Sequence, residues 1–294
     1  MFSLFRAEWR KVVGNRWLSS FLIWLYPAGA FGLVLVIVLA AILAPNDAPG
    51  FNLDKARWTE MTDAWALLGS FPLNVFGRMP ILAFAAVMFA GEYEWRTWKN
   101  VLPRRARPTV LLTKFAALIA AVAVAFVLMS LVWGLGHSLA GVIAGHPWGP
   151  EVTGATLGEF AQDYMLAAGL ALVSTLIVAA YAALAALLTR SIAAGLLISF
   201  GVAILENITP IVLNVIGSLA HRREEALNLY RFVPTYNLDN IASWAEKGTA
   251  AGLIYPPGFS AQPGPAFSVA VLALWVVGLI ALAVFLFCRQ DIVS

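Results

Sequence analysis

Six apolar runs, each long enough to cross a bilayer, leave this chain of 294 residues few ways to fold. A helix rising about 1.5 Å per residue needs about 20 apolar residues to cross a hydrocarbon core roughly 30 Å thick. Five runs that reach that length extend from about Leu18 to Leu43, Ala66 to Ala90, Phe115 to Leu139, Tyr164 to Leu188 and Phe267 to Cys288. A further run lies between the turn Thr189-Arg190-Ser191 and Leu219. Hydrophobic residues make up 61% of the chain and charged residues 12%, about half the charged share of a soluble domain. No polar segment is long enough for a separate soluble unit, so residues 1–294 read as a single transmembrane domain. The expected fold is an all-α integral membrane protein: a six-span helix bundle with an N-terminal interfacial helix and outer helices between spans five and six. The first run exceeds the 7–15 residues or so of a signal peptide's apolar region and is read as a retained span.

Charge sets the topology. The proposed inner segments hold Arg6, Arg10, Lys11, Arg16, Arg96, Lys99, Arg104, Arg105, Arg107, Lys114, Arg190 and Arg289. The outer segments hold only Lys55, Arg57, Arg222, Arg223, Arg231 and Lys247. That bias places both termini in the cytoplasm of a multi-pass protein of the cell (inner, cytoplasmic) membrane. The basic residues lie at the ends of apolar runs and not on one polar face, which argues against nucleic acid as a partner despite a net charge of +3. Cys288 is the single cysteine, so no intrachain disulfide or cysteine cluster forms. His137, His146 and His221 are far apart and lack ligand spacing, so no metal and no other cofactor is expected.

Phe2, Phe5, Trp9, Val12 and Val13 recur at helical spacing, with Arg6, Glu8, Arg10 and Lys11 on other faces. This is an amphipathic helix along the inner surface, serving either as an anchor or as a docking element. Pro27 is expected to kink the first span. Trp58 and Trp65 suit an interfacial aromatic belt. The small residues Ala179, Ala180, Ala182, Ala183, Ala185 and Ala186 point to a closely packed, buried fourth span. In the fifth, Glu206, Asn207, Pro210 and Asn214 break the apolar pattern, and an unwound segment is expected there. Between Ala220 and Pro265, two short helices precede a loop rich in Gly and Pro.

No phosphate-binding G-x-x-x-x-G-K-[ST] loop, no H-E-x-x-H and no G-x-S-x-G occurs, so energy for any active process must come from another chain. The densest charge lies in Gly91 to Lys114, GEYEWRTWKNVLPRRARPTVLLTK. Trp95, Trp98 and Leu102 fall at i, i+3 and i+7, one apolar stripe on a short helix with Glu92 and Glu94 at its N-terminal end and Pro103 as its stop. The stripe suits either a soluble partner or the headgroup layer.

This stretch resembles the first cytoplasmic loop of ATP-binding-cassette type-2 permeases, in its Gly-Glu pair, its Thr and its basic segment ending in Lys. The basic N-terminal EWRK helix, the six spans, the long excursion before the sixth and the closing FCRQDI are similar to that family as well. Arg96 stands where members often have a small residue. The resemblance implies a cytoplasmic coupling helix over Glu92 to Asn100, with Glu92, Tyr93, Glu94, Trp95, Trp98 and Lys99 meeting a separate ATP-binding subunit present in two copies. It also implies a second permease copy or a related chain. The function it implies is the membrane-spanning subunit of an ATP-driven exporter, with no catalytic residues of its own. Such an exporter moves an amphipathic or apolar substrate, such as a peptide antibiotic, a drug or a lipid-linked molecule, by alternating access in membrane lipid. An ion-gradient-driven secondary transporter and a non-transporting assembly factor are the alternatives from other classes. The first predicts internal repeats, which are not seen.

Arg78, Glu206 and Asn207 are the polar residues inside spans. At about 1.5 Å per residue, Arg78 lies roughly 21 Å along the chain from Glu92 and Glu206 roughly 24 Å from Arg190, so the two charges fall at one depth. They either pair or stay apart, with Arg78 reaching to the headgroups and Glu206 capping a shortened helix. Pairing predicts that a charge swap preserves assembly better than either single reversal.

Overall fold

The computed structural model describes residues 2–43, 58–69, 73–95, 97–98, 106–252 and 262–291. No strand occurs among them. Helix α1 (Phe2–Gly14) leads through a short turn and a π-helical stretch, Ser20–Trp24, into α2 (Leu25–Leu43). A 3₁₀ segment, Trp58–Trp65, precedes α3 (Leu73–Glu94), and α4 (Arg107–Ile143), α5 (Gly154–Thr189) and α6 (Ile192–Leu219) follow. The short helix Arg223–Asn228 and a 3₁₀ turn, Leu229–Phe232, then lead to α7 (Pro234–Lys247) and α8 (Pro265–Arg289). Among the described residues, six helical stretches are long and apolar enough to cross a membrane, one in each of the six expected runs. The protein is an all-α membrane helix bundle. Pro45, Pro72, Arg96, Lys99, Leu102, Pro103, Arg104 and Arg105, on which several expectations rest, lie outside the described residues.

Local chemistry accounts for the boundaries. Pro27 lacks an N–H and its ring crowds the carbonyl four residues back, and the π-helical turn stands immediately before that point in the chain. Pro234 and Pro265 occupy the first turns of α7 and α8, where an absent N–H costs nothing. Gly248 ends α7 at φ 66°, donating its N–H to the Trp244 carbonyl. The tight turn expected at Thr189-Arg190-Ser191 is present, with Arg190 held at φ 56°, a left-handed conformation that strains any residue with a Cβ.

The fifth span departs from expectation. It is a continuous helix from Ile192 to Leu219 through Pro210, not an unwound one. Two of its polar side chains donate back along its own axis: Asn207 to the Ala203 carbonyl at 2.8 Å and Thr209 to the Leu205 carbonyl at 2.7 Å. Bonding back to the preceding turn removes the need to open the helix.

The chain divides into two compact units. The first comprises Met1–Glu8, Leu68–Leu118 and Val173–Ser294. In it α3 packs along α6, α7 lies on α8, and the Arg223–Asn228 helix folds back on the end of α6. Gly217 permits that return, since a Cβ there would meet Ala226 and the Arg223 backbone at 2.7 and 2.8 Å. The six small residues of α5 are all buried. A Cβ on Gly195 would come within 3.3 Å of the Ala186 backbone, so α6 approaches α5 at close range there.

The second unit comprises Trp9–Leu67 and Ile119–Leu172. Tyr26, Phe126, Trp65 and Tyr164 form a continuous aromatic column with centroid spacings of 4.7, 5.4 and 5.8 Å. Ile37, Ala41 and Ala140 make a small apolar core beside it. Trp58 and Trp65 are buried in protein, which replaces the headgroup belt expected for them. The Trp58 indole donates to the Pro150 carbonyl at 3.1 Å, and Ser130 donates to the Met61 carbonyl.

Candidate functional site

Two polar clusters, both inside the first unit, gather most of the residues singled out in the sequence. The first lies where α3 ends. Glu92, Tyr93 and Glu94 belong to the last turns of the second span and not to the first turn of a separate helix. Each reaches a different helix. Glu92 accepts from Lys114 of α4 at 3.1 Å and from the Thr97 hydroxyl. Tyr93 donates to the Gln290 side chain, just past α8, at 2.5 Å. Glu94 accepts the Ile192 N–H at 2.7 Å, which caps the N-terminus of α6, where a carboxylate suits both the free N–H and the helix dipole.

The two tryptophans of the expected stripe part company. Trp98 is buried at 3% exposure between Phe287, at a ring-centroid distance of 4.8 Å, and Tyr93 at 5.4 Å. Trp95 is 58% exposed. One turn faces protein and the other faces outward, because the chain leaves helical geometry after Glu94 and the i, i+3 register no longer holds.

Lys114 is the centre of this cluster. Its ammonium, 3% exposed, donates to Glu92 at 3.1 Å, to the Met88 carbonyl at 3.1 Å and to Glu8 of α1 at 3.3 Å. Those three acceptors match its three N–H donors. The ring of Trp98 lies 5.5 Å from the same nitrogen. A buried ammonium is tolerated only when paired and fully hydrogen-bonded, and this one is both. Beside it, Arg107 donates through Nη1 to the carbonyls of Phe287, Cys288 and Gln290 at 3.3, 3.0 and 2.6 Å, closing the C-terminal end of α8. Gln290 in turn donates to the Leu187 carbonyl of α5 at 2.6 Å. The Arg190 guanidinium lies over Tyr93 at 5.9 Å. The end of α3 is therefore joined by polar contacts to α1, α4, α5, α6 and the end of α8.

Sequence spacing brought Glu92 to Trp98 into view but missed Glu8, Arg107, Lys114 and Gln290. Lys114 and Arg107 counted there only as topology charges. The signal available was Glu8, a lone carboxylate in a basic amphipathic helix.

The second cluster joins Arg78 and Glu206, whose charged atoms stand 3.8 Å apart at 2% and 5% side-chain exposure. The alternative, an Arg78 reaching to the headgroups and a Glu206 capping a shortened fifth helix, is set aside by this geometry. Arg78 donates through Nε and Nη2 to the Ser174 hydroxyl at 3.0 and 2.8 Å, and the Ser174 hydroxyl donates to the Leu68 carbonyl at 2.8 Å. Glu206 accepts from the Tyr181 hydroxyl at 3.1 Å, from the Thr235 N–H at 3.0 Å and from the Thr235 hydroxyl. It thereby caps the N-terminus of α7 from another helix. Asn207 is buried next to it, but its amide bonds back to α6 and joins neither charge.

Among the described residues no group of three His, Cys, Asp or Glu side chains is placed to hold a metal. Asp239, on α7, is pushed up to about 7 by burial, against the pull of the Arg78 charge.

A family model described as "ABC-2 family transporter protein" matches residues 29–206. No curated protein and no solved structure matches the chain.

Proposed function

The match over residues 29–206 covers more than half of the chain, which therefore belongs to the ABC-2 transporter family, and from that membership we propose that it is the membrane-spanning subunit of an ATP-driven exporter. As a membrane permease it works with an ATP-binding subunit on a separate chain, in two copies, and pairs with a second permease copy or a related one. Residues 1–294 act as one permease domain in the cytoplasmic membrane with both termini inside. Its cargo is an amphipathic or apolar molecule such as a peptide antibiotic, a drug or a lipid-linked compound.

The observation that carries this reading is the convergence at the end of α3. Glu92, Tyr93, Glu94 and Trp98 bind α4, α6 and the end of α8, whereas Trp95 stands exposed beside them. Trp95 is the exposed side chain that meets the ATPase. These four distribute the resulting displacement to α4, α6 and α8, and through Lys114 to α1. Packed elements of this kind move between discrete arrangements and do not deform continuously, which is what an alternating-access cycle needs.

Co-purification tests it. The permease should retain an ATP-binding partner in stoichiometric amounts, Trp95→Ala should lower that retention, and Glu94→Gln should leave retention intact while slowing substrate-stimulated hydrolysis. Reproducible absence of an ATPase partner from the wild-type preparation would refute the exporter reading.

A further inference from the structure

Helix α1 has one face turned into the protein and another turned away from it. Leu4, Glu8 and Val12 follow one another at i, i+4 and i+8, and all three are buried. Glu8 fixes that orientation, because its carboxylate accepts from the Lys114 ammonium at 3.3 Å. Arg6 and Arg10 stand two positions before and after Glu8, which at about 100° per residue carries them to the opposite side of the helix, where both are exposed. Phe2 and Val13 are exposed as well. Phe2, Arg6, Arg10 and Val13 therefore make one outward stripe, at i, i+4, i+8 and i+11.

Drawing Glu8 inward changes the charge of what is left outside. It is the one acidic residue of Phe2–Gly14, and on spacing alone it belongs with Arg6 and Arg10 on the polar side. In the folded chain it meets Lys114 instead, and among the described residues neither Arg6 nor Arg10 has a carboxylate partner. Two like charges one turn apart repel each other, so the stripe gains from an anion placed over both.

The neighbouring apolar side chains identify the anion's source. A soluble anion would satisfy the arginines but leave Phe2 and Val13 in water. A layer of anionic headgroups over hydrocarbon accommodates all four. Position agrees, since α1 ends at Gly14 and the first span begins at Ser20, with only residues 15–19 between them.

We propose that the stripe of Phe2, Arg6, Arg10 and Val13 binds anionic phospholipid, with the two guanidinium groups on the headgroup phosphates and Phe2 and Val13 set among the acyl chains. The same helix seats Glu8 on Lys114, so lipid that holds α1 against the membrane also holds that ion pair in place. An arginine close to an anionic surface strengthens binding about fivefold, and two strengthen it about 25-fold.

Hydrogen exchange followed by mass spectrometry on the full chain in lipid nanodiscs reads this difference. Protection of the α1 amides should be about 25-fold greater where about a third of the lipid is phosphatidylglycerol than in phosphatidylcholine alone, while the α8 amides, the internal reference, stay constant. In about 1 M sodium chloride, where the screening length is about 3 Å, the ratio should shrink to about threefold or less. Arg6→Gln with Arg10→Gln should bring it to about twofold or less, and Arg6→Lys with Arg10→Lys, which keeps both charges, should hold it above about tenfold. If the double glutamine variant loses α8 protection, Arg10→Gln alone takes its place, with a ratio of about fivefold. Equal protection in the two lipids, an undiminished ratio in the glutamine variant, or a ratio that salt does not move would each overturn the proposal. So would protection that appears only when an ATP-binding partner is added, which assigns the stripe to that subunit. The lipid readouts themselves need neither transport nor a partner.

Discussion

Replacing Lys114 with Met tests whether the cluster at the end of α3 is held by charge or by shape. Met keeps most of the volume and removes the ammonium that Glu8 and Glu92, 3% and 7% exposed, both accept from. Removing one partner of a buried ion pair costs about 3–5 kcal/mol, because the remaining charge stays desolvated. The lost contact with the Trp98 ring, 5.5 Å from the nitrogen, adds about 1 kcal/mol. A loss of about 4–6 kcal/mol is expected, a large part of the stability of any native fold. Reversible unfolding in mixed micelles of rising SDS content, followed by near-UV circular dichroism, measures it. The decisive variant is the triple one, Lys114→Met with Glu8→Gln and Glu92→Gln, in which the ammonium and both carboxylates it bridges are neutral. It should recover all but about 1–2 kcal/mol, since replacing a whole buried ionic group is often neutral. If the triple variant is as unstable as the single one, packing and not uncompensated charge holds this cluster, and the account of Lys114 is wrong.

Three shorter expectations follow from the same geometry. Trp98→Ala should destabilise the isolated permease by about 3–5 kcal/mol by emptying the site against Phe287, whereas Trp95→Ala, on an exposed side chain, should change stability by no more than about 0.5 kcal/mol; chemical unfolding of both variants without any partner decides it. Thr235→Val keeps the shape of the side chain and the N–H bond to Glu206 but removes the hydroxyl donor, so unfolding should show a cost of about 1–3 kcal/mol. Swapping the charges, Arg78→Glu with Glu206→Arg, should assemble no better than the single reversals when monitored by size-exclusion chromatography, because an arginine at 206 cannot accept the Thr235 N–H and a glutamate at 78 cannot donate to Ser174.

That last expectation reverses the one drawn from spacing alone, and the reason marks the limit of what the sequence discloses. Length and hydropathy place all six spans, since each span answers to a single local requirement, the thickness of a bilayer. The run of alanines in α5 likewise announces a buried helix, because small residues at a lipid-free interface are a local signal. Depth counting even puts Arg78 and Glu206 at one level. It cannot show that Glu206 also caps α7 through Thr235, 29 residues on, or that Arg78 also rests on Ser174, 96 residues on.

The stretch from Glu92 to Trp98 shows the same boundary from the other side. Periodicity assigned Trp95 and Trp98 to one stripe on the premise that the helix continues through them, and the helix ends at Glu94. Once the register breaks, i, i+3 spacing places one ring outward and the other against Phe287, 189 positions further along the chain. Glu8 and Lys114 were no easier to find, for each alone has an ordinary explanation: a stray acid in a basic helix, and one more inward-side lysine. Only their meeting, with Glu92 and the Met88 carbonyl, fills every donor of a buried ammonium, and that coincidence belongs to tertiary structure. A site read from sequence is therefore biased toward the residues that are contiguous, while the side chains that join it to the rest of the bundle include ones that are not. In this permease, substitutions at Glu8, Arg107 and Gln290 should accordingly alter coupling as strongly as substitutions within Glu92 to Trp98, a comparison that substrate-stimulated hydrolysis by the ATPase partner can settle.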